Sequence, residues 1–344
     1  MRRVALHNPS PSWTLLRAVT GSHDARAFWV TGPAKSELRA ESIDAPGPGQ
    51  VLVRTLYSAI SRGTESLVFH GRVPPSEHAR MKGPHQQGEF PWPVKYGYCN
   101  VGVVEDGEAS LRGREVFCLY PHQTRYTVAA DSVVPLPAGL PASRAVLAAN
   151  METAINGLWD AQLGIGDRVG VIGAGVVGCL VAYLAARVAG CEVQLIDLDE
   201  RKRAVADALG VPFRSPEEAS GELDRVIDTS GSPAALSRAL ELAGAEATVV
   251  EMSWFGDRPA TLSLGGAFHS RRLRIISSQV GAIPLPRRAR WTYRRRLELA
   301  LRLLADDALD ALLDGDSRFE DLPQTMAQVT KSDAFVLCHR VVYG

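Results

Sequence analysis

Three glycines in the run Gly173-Ala174-Gly175-Val176-Val177-Gly178 sit between an apolar stretch at 168–172 and a helix-like stretch at 176–189. In that setting each glycine has a task. Gly173 permits a tight strand-to-helix turn, Gly175 lets the backbone approach a pyrophosphate, and Gly178 lets the helix pack closely on the sheet, with phosphates held at the helix N-terminus. Asp197 closes the next apolar run, 24 residues beyond the first glycine (197 − 173), close to where an acid accepts hydrogen bonds from the adenosine ribose. The pattern points to a dinucleotide held by Gly173, Gly175, Val176, Val177, Gly178 and Asp197, the acid favouring NAD over NADP. Arg201, Lys202 and Arg203 follow at once, and Arg203 in particular is a candidate for a 2′-phosphate, which keeps NADP as the alternative.

These residues need a sheet to position them. From about 27 to 136 the chain shows short β-rich runs broken by Pro and Gly, at 27–30, 51–59, 98–105, 115–119 and 126–136. From 145 onward strands and helices alternate. A helix is predicted over 152–163, then strands at 168–172, 192–196, 224–228, 247–252 and 273–279, separated by helical stretches at 176–189, 200–209 and 234–243. Repeated β-α-β units imply a parallel sheet with helices on both faces. An Arg-rich connection, an amphipathic helix at 293–304 and a strand at 335–343 complete the chain.

The 344 residues suffice for about two cores. Lys plus Arg and Asp plus Glu both number 38, which gives no electrostatic case for nucleic acid. Cys99, Cys118, Cys179, Cys191 and Cys338 form no C-x-x-C pair and fit reduced cytoplasmic thiols. Arg2, Arg3 and His7 interrupt any early apolar run, against a signal peptide, and no stretch reaches the ~18 apolar residues of a membrane span.

A β-rich module, a dinucleotide module and a returning tail occur together with four sequence blocks. These are Ser58-Ala59-Ile60-Ser61-Arg62-Gly63-Thr64-Glu65, the stretch 93–105 containing Lys95-Tyr96-Gly97-Tyr98-Cys99-Asn100, Gly166-Asp167-Arg168-Val169, and the glycine turn. In their order and spacing the chain resembles the medium-chain dehydrogenase/reductase superfamily, the alcohol-dehydrogenase-like proteins, over nearly its whole length after residue 25. The resemblance implies an α/β protein: a GroES-like β-rich catalytic domain at 1–148, a Rossmann doubly wound parallel sheet at 149–282, and a return to the catalytic domain at 283–344. It also implies a homodimer, for which the apolar edge 273–276 is the sequence's own support.

Zinc-using members of that superfamily place cysteine, histidine and glutamate ligands where this chain has Arg62, Tyr98 and Cys99, and a third ligand near Ala149-Asn150. The structural-zinc cysteines are missing as well, so no metal is expected. A zinc relocated among Glu65, Cys99, His122 and Glu152 would match no recognised ligand spacing. Something else must then stabilise charge developing on a substrate oxygen. Tyr98 is the candidate donor, with Lys95 or Arg62 as cations that would lower its pKa; the alternative is an aromatic packed at the cleft. Thr64 matches the superfamily's proton-relaying hydroxyl, or else bonds its own turn. Glu65 matches the acid behind the metal and, without metal, would pair with Arg62 or Lys95. His122 stands in a loop that borders the substrate pocket in the superfamily, as an acid/base or as a solvated side chain. Arg62, Asn150 and Glu152 are substrate candidates, the last two also helix caps. Thr229 and Ser230 end a predicted strand at the carboxyl edge, and Ser278 and Gln279 resemble the loop that meets the nicotinamide amide.

Nine arginines fall between 271 and 296. They are read either as an anion-binding cluster near the cleft or as a solvated helix start. The Ser-Arg-Gly-Thr-Glu block is similar to the bacteriochlorophyllide hydroxyethyl dehydrogenase-like group, which implies a zinc-independent exchange between a secondary alcohol and a ketone on a polar or anionic small molecule. An enone or quinone reductase and a catalytically silent dinucleotide-binding protein remain the alternatives.

Overall fold

The computed structural model describes residues 22–344; Arg2, Arg3 and His7 lie outside the described residues. Six parallel strands form one sheet in the order Phe213–Arg214, Glu192–Ile196, Arg168–Ile172, Leu223–Asp228, Ala243–Glu251, Arg274–Ser277. Numbered along the chain this order is 3-2-1-4-5-6, the doubly wound arrangement, whose reversal between Arg168–Ile172 and Leu223–Asp228 opens a crevice at the carboxyl ends. The helices Val176–Ala185 and Pro233–Leu242 pack against it. Val169, Val171, Leu195, Ile227 and Val250 are fully buried between sheet and helices. Each such side chain contributes roughly 1.5–3 kcal/mol by leaving water, which is why these strands read as continuous apolar runs.

The other half is mostly antiparallel. Its main sheet runs Leu313–Arg318, Cys338–Val342, Gln50–Ile60, Asn100–Gly107, Glu115–Cys118, Val133–Pro135, with Arg125–Ala129 also paired to Gln50–Ile60. A four-stranded sheet of Lys35–Asp44, Ser22–Gly32, Val94–Lys95 and Gln87–Gly88 lies beside it. The last strand pairs antiparallel with Gln50–Ile60, Arg340 facing Ala59, so it lies in the sheet from which the block at 58–65 departs.

Three local departures from the sequence reading bear on the site. The predicted helix at 152–163 begins earlier, as Ala148–Ala161, which puts Asn150 and Glu152 inside its first turns rather than at a cap. The predicted strand at 126–136 is broken by the tight turn Ala130–Ser132. The block Arg62–Phe69 is a helix, and the Glu65 carboxylate reaches back to accept the Ser61 N–H at 2.7 Å. That contact satisfies an N-terminal donor much as a capping box does, and it ties the backbone at Ser61 to the helix that carries Thr64.

Candidate active site

A cleft of about 900 Å³ runs between the two halves, within the size range of ligand sites. One wall is the glycine turn. Gly173 has φ +99°, a left-handed conformation, and a Cβ there would lie 2.8 Å from the Ser230 nitrogen. A Cβ on Gly178 would stand 1.8 Å from the Gly173 carbonyl oxygen, so only glycine lets this helix seat on the turn. Gly175 differs: nothing lies within 4 Å of where its Cβ would be. Its open face looks onto the N-terminus of Val176–Ala185, which has no side-chain cap, so its first N–H groups remain free for a phosphate. The residues present therefore fit a dinucleotide. Gly173, Gly175, Val176, Val177, Gly178, Asp197, Thr229 and Ser230 all line the cleft.

Asp197 braces the turn. Its Oδ2 accepts the Ala174 N–H at 2.7 Å and the Lys202 ammonium at 2.9 Å, and its Oδ1 accepts the Asp199 N–H at 2.9 Å. Arg203, expected at the cofactor, faces elsewhere: it binds Glu200 at 2.8 Å and lies over the Phe213 ring, and Lys202 takes the cleft position. Ser278 and Gln279 are also outside the cleft lining. The Ser278 hydroxyl donates to Asp160 at 2.6 Å and Gln279 accepts the Gly281 N–H at 2.6 Å, while Met252, Ser253 and Trp254 from the neighbouring strand end supply that part of the wall.

Beneath the loops carrying Ser230 and Ser253 lie two carboxyls that face each other in strand register, Asp228 and Glu251. One oxygen of each accepts the N–H two residues on, at 2.9 Å from Ser230 and 2.6 Å from Ser253, and the others, Oδ2 and Oε2, meet no other partner among the described residues. Two carboxyls buried side by side resist ionising together, so the pair keeps a proton to a higher pH than a free acid does. Burial, then the Asp228 charge, pushes Glu251 up to about 8, and burial raises Asp228. The folded chain thus holds a proton that the unfolded chain releases near pH 4.5, so this contribution is complete below that pH and is lost as pH rises to about 8. Glu251→Gln supplies an amide donor to Asp228 without the titration. It is expected to raise Tm above the wild type by about 3 °C or more at pH 9 and by much less at pH 5; a difference that does not change with pH contradicts the retained proton.

The opposite wall comes from the blocks at 58–65 and 93–105. Thr64 lines the cleft, and the Tyr98 hydroxyl donates to Ser61 Oγ at 2.7 Å. Withdrawal from water, reinforced by neighbouring acidic groups including Glu65, pushes the Tyr98 phenol well above its ordinary range. This reverses the expectation of a cation-lowered phenol. Lys95 is completely buried elsewhere, donating to Glu41 at 2.8 Å and Gln123 at 2.6 Å. Arg62 does line the cleft, with its guanidinium on the Val329 and Lys331 carbonyls at 2.9 and 2.8 Å.

Glu65 pairs with neither cation. Besides Ser61 N–H it holds His122 Nε2 at 2.9 Å; His122 Nδ1 lies 2.7 Å from Ser58 Oγ, which lies 2.9 Å from the Tyr343 hydroxyl. His122 is therefore a buried strut behind Ser61, not a solvated loop residue at the substrate. Asn150 lines the cleft, 3.9 Å from Cys99 Sγ. Glu152 turns away and binds Arg296 at 2.9 Å, both buried, with Arg296 also on Asn156 and the Val280 carbonyl. None of the nine arginines of 271–296 lines the cleft: Arg271 and Arg272 pair with Glu222 and Glu246, and Arg294 with Glu298 and the Val133 carbonyl.

The residues at the expected ligand positions are a guanidinium on carbonyl oxygens, a phenol on a serine, a buried thiol and an amide. That donor set does not suit a zinc ion. Among the described residues no three His, Cys, Asp or Glu side chains are grouped to hold a metal, and Glu152 lies apart from Glu65 and His122. Ser61, His70, Arg72 and Trp254 line the cleft without having been singled out; Ser61 stood inside the quoted block, one residue before Arg62. No described helix is long and apolar enough to cross a membrane.

No protein-family model matches the chain. It is similar to D-guloside 3-dehydrogenase of Escherichia coli K12, 23% identical over 310 residues, covering 81% of this chain and 88% of that one. Among solved structures it is similar to a short chain alcohol dehydrogenase of E. coli CFT073 complexed with NADH, at 16% identity, TM-score 0.73, and coverage of 93% and 99%. It is also similar to S. aureus TarJ in complex with NADPH, at 15% identity, TM-score 0.71, and coverage of 94% and 100%. The β-rich half with a parallel dinucleotide-type sheet is thus the fold of known dehydrogenases.

Proposed function

We propose that the chain is an NAD(H)-dependent oxidoreductase that exchanges a secondary alcohol and a ketone on a polar or anionic metabolite without zinc. The observation that carries this is one cleft holding both the glycine cradle and the Ser61–Tyr98 hydroxyl pair. Its alcohol-dehydrogenase-like character is supported by the curated relative, a dehydrogenase matched over most of both chains. The Ser-Arg-Gly-Thr-Glu block, similar to the bacteriochlorophyllide hydroxyethyl dehydrogenase-like group, supports the reaction type.

When bound, the nicotinamide supplies or accepts the hydride. Tyr98, held protonated by its surroundings, donates to Ser61 Oγ; the Ser61 proton is then free to point at the substrate oxygen, where a preorganised donor counts most as charge develops. Thr64 is the second hydroxyl of that wall. Glu65 and His122 hold Ser61 from behind. NAD is favoured because each cation beside Asp197 already has an acid: Lys202 on Asp197, Arg201 on Asp199, Arg203 on Glu200. A homodimer would use the strand Arg274–Ser277, which lies at the sheet edge.

The test is NADH consumption with a panel of ketoses, keto acids and conjugated enones. Turnover of ketones supports the reading. Turnover of enones alone would replace it with a conjugated-bond reductase, and tight NADH binding with no turnover of any would leave a silent dinucleotide binder.

A further inference from the structure

Five cationic side chains line the cleft, Arg62, Arg72, Lys202, Arg258 and Lys331, against two carboxylates, Asp197 and Asp333. The excess is not spread evenly in use. Lys202 is occupied by Asp197 and Arg62 by two carbonyls. Arg72 follows the helix that begins beside Ser61 and carries Thr64; it is exposed at the cleft, and no hydrogen bond or ion pair holds its guanidinium among the described residues. The loop after Trp254 meets it: a Cβ on Gly256 would be 2.7 Å from the Arg72 carbonyl. From that loop Arg258 is aimed by bonds to the Gly231 carbonyl at 2.9 Å and the Phe255 carbonyl at 3.4 Å, with no carboxylate partner among the described residues. Burial and then Arg72 hold the His70 pKa down, so this imidazole takes up a proton less readily than a free one.

We infer that Arg72, assisted by Arg258, forms a specificity subsite that binds an anionic group of the substrate, a carboxylate or a phosphate, at the end of the cleft between Trp254 and the Ser61–Thr64 wall. Guanidinium forks suit both anions, and these two exposed guanidinia, neither with an acid partner among the described residues, add positive potential to the cleft. The pyrophosphate of the cofactor has a different receptor, the N-terminus of Val176–Ala185. The subsite rests on reading the cleft as a hydride-transfer site, and it gives the anion preference a location that the arginines of 271–296 do not provide.

The test uses three compounds on one carbon skeleton: glucitol, gluconate and glucitol 6-phosphate. Calorimetry measures their binding to the NADH-loaded protein, and turnover with NAD is followed in parallel. At least one anion is expected to exceed glucitol by roughly 10- to 100-fold, the range of a charge-assisted pair; gluconate or the phosphate being preferred identifies which anion is read. Arg72→Gln should bring that ratio close to one and Arg72→Glu should invert it, with NADH affinity unchanged. Glucitol binding as well as both anions, no compound binding, or a preference that survives both substitutions overturns the subsite. Anion-selective binding without turnover keeps the subsite and counts against the hydride-transfer reading.

Discussion

Tyr98→Phe is expected to lower kcat/KM by about 100-fold or more while NADH binds normally. Phenylalanine keeps the ring and its edge-on contact with Tyr96, whose centroid is 6.0 Å away, so the loss isolates the hydroxyl. That hydroxyl orders Ser61 by donating to its Oγ, and without it the Ser61 proton turns into the vacated space instead of toward the substrate. Because its surroundings push the phenol well above its ordinary range, Tyr98 acts as a fixed donor, and the alkaline limb of the wild-type profile should not come from it. A Tyr98→Phe enzyme with nearly normal turnover would return the residue to packing. Loss of NADH affinity in step with turnover would place the damage in the fold.

Substitution in the glycine turn separates the cradle from its scaffold. Gly178→Ala forces a methyl to 1.8 Å from the Gly173 oxygen and 2.5 Å from Thr229 Oγ1, which itself donates to that oxygen at 2.9 Å. The turn must move, costing on the order of 1–3 kcal/mol of stability, and NADH binding should be lost with it. Gly175→Ala meets no protein atom within 4 Å, and Gly175 has φ −77°, which alanine tolerates. It should leave Tm almost unchanged and still weaken NADH binding by at least about tenfold, because the methyl fills space a phosphate needs. Unaltered NADH affinity in Gly175→Ala would remove the pyrophosphate from this turn.

How much of this the sequence revealed follows from distance along the chain. The strand-to-helix geometry of the glycine turn was legible because its contacts are local; the contact of the Asp197 carboxylate with Ala174, 23 residues away through a single β-α-β unit, was not, since in the sequence the acid reads only as a ribose partner. Lys202 and Arg203 were not separable, since neighbouring positions on the turn from Glu200 point different ways: Lys202 lines the cleft while Arg203 lies over the Phe213 ring. His122 depended on partners 57 and 64 residues away, so nothing near it in sequence announced a buried strut. Lys95 stands three residues from Tyr98 in sequence but its strand, Val94–Lys95, belongs to the smaller sheet, which carries its ammonium toward Glu41. The arginine run resembled an anion site because charge is visible in a sequence and the carbonyls and acids that consume it are not.

The measurement closest to the central claim sets zinc content beside turnover. Purified protein is analysed for metal, then assayed for NADH-dependent ketone reduction before and after exhaustive chelation. With Arg62, Tyr98, Cys99 and Asn150 at the ligand positions, the expected result is far less than one zinc per chain and a kcat/KM that chelation leaves unchanged. Zinc bound one per chain, with activity lost on its removal and regained on its return, would contradict an oxygen held by the Ser61–Tyr98 pair.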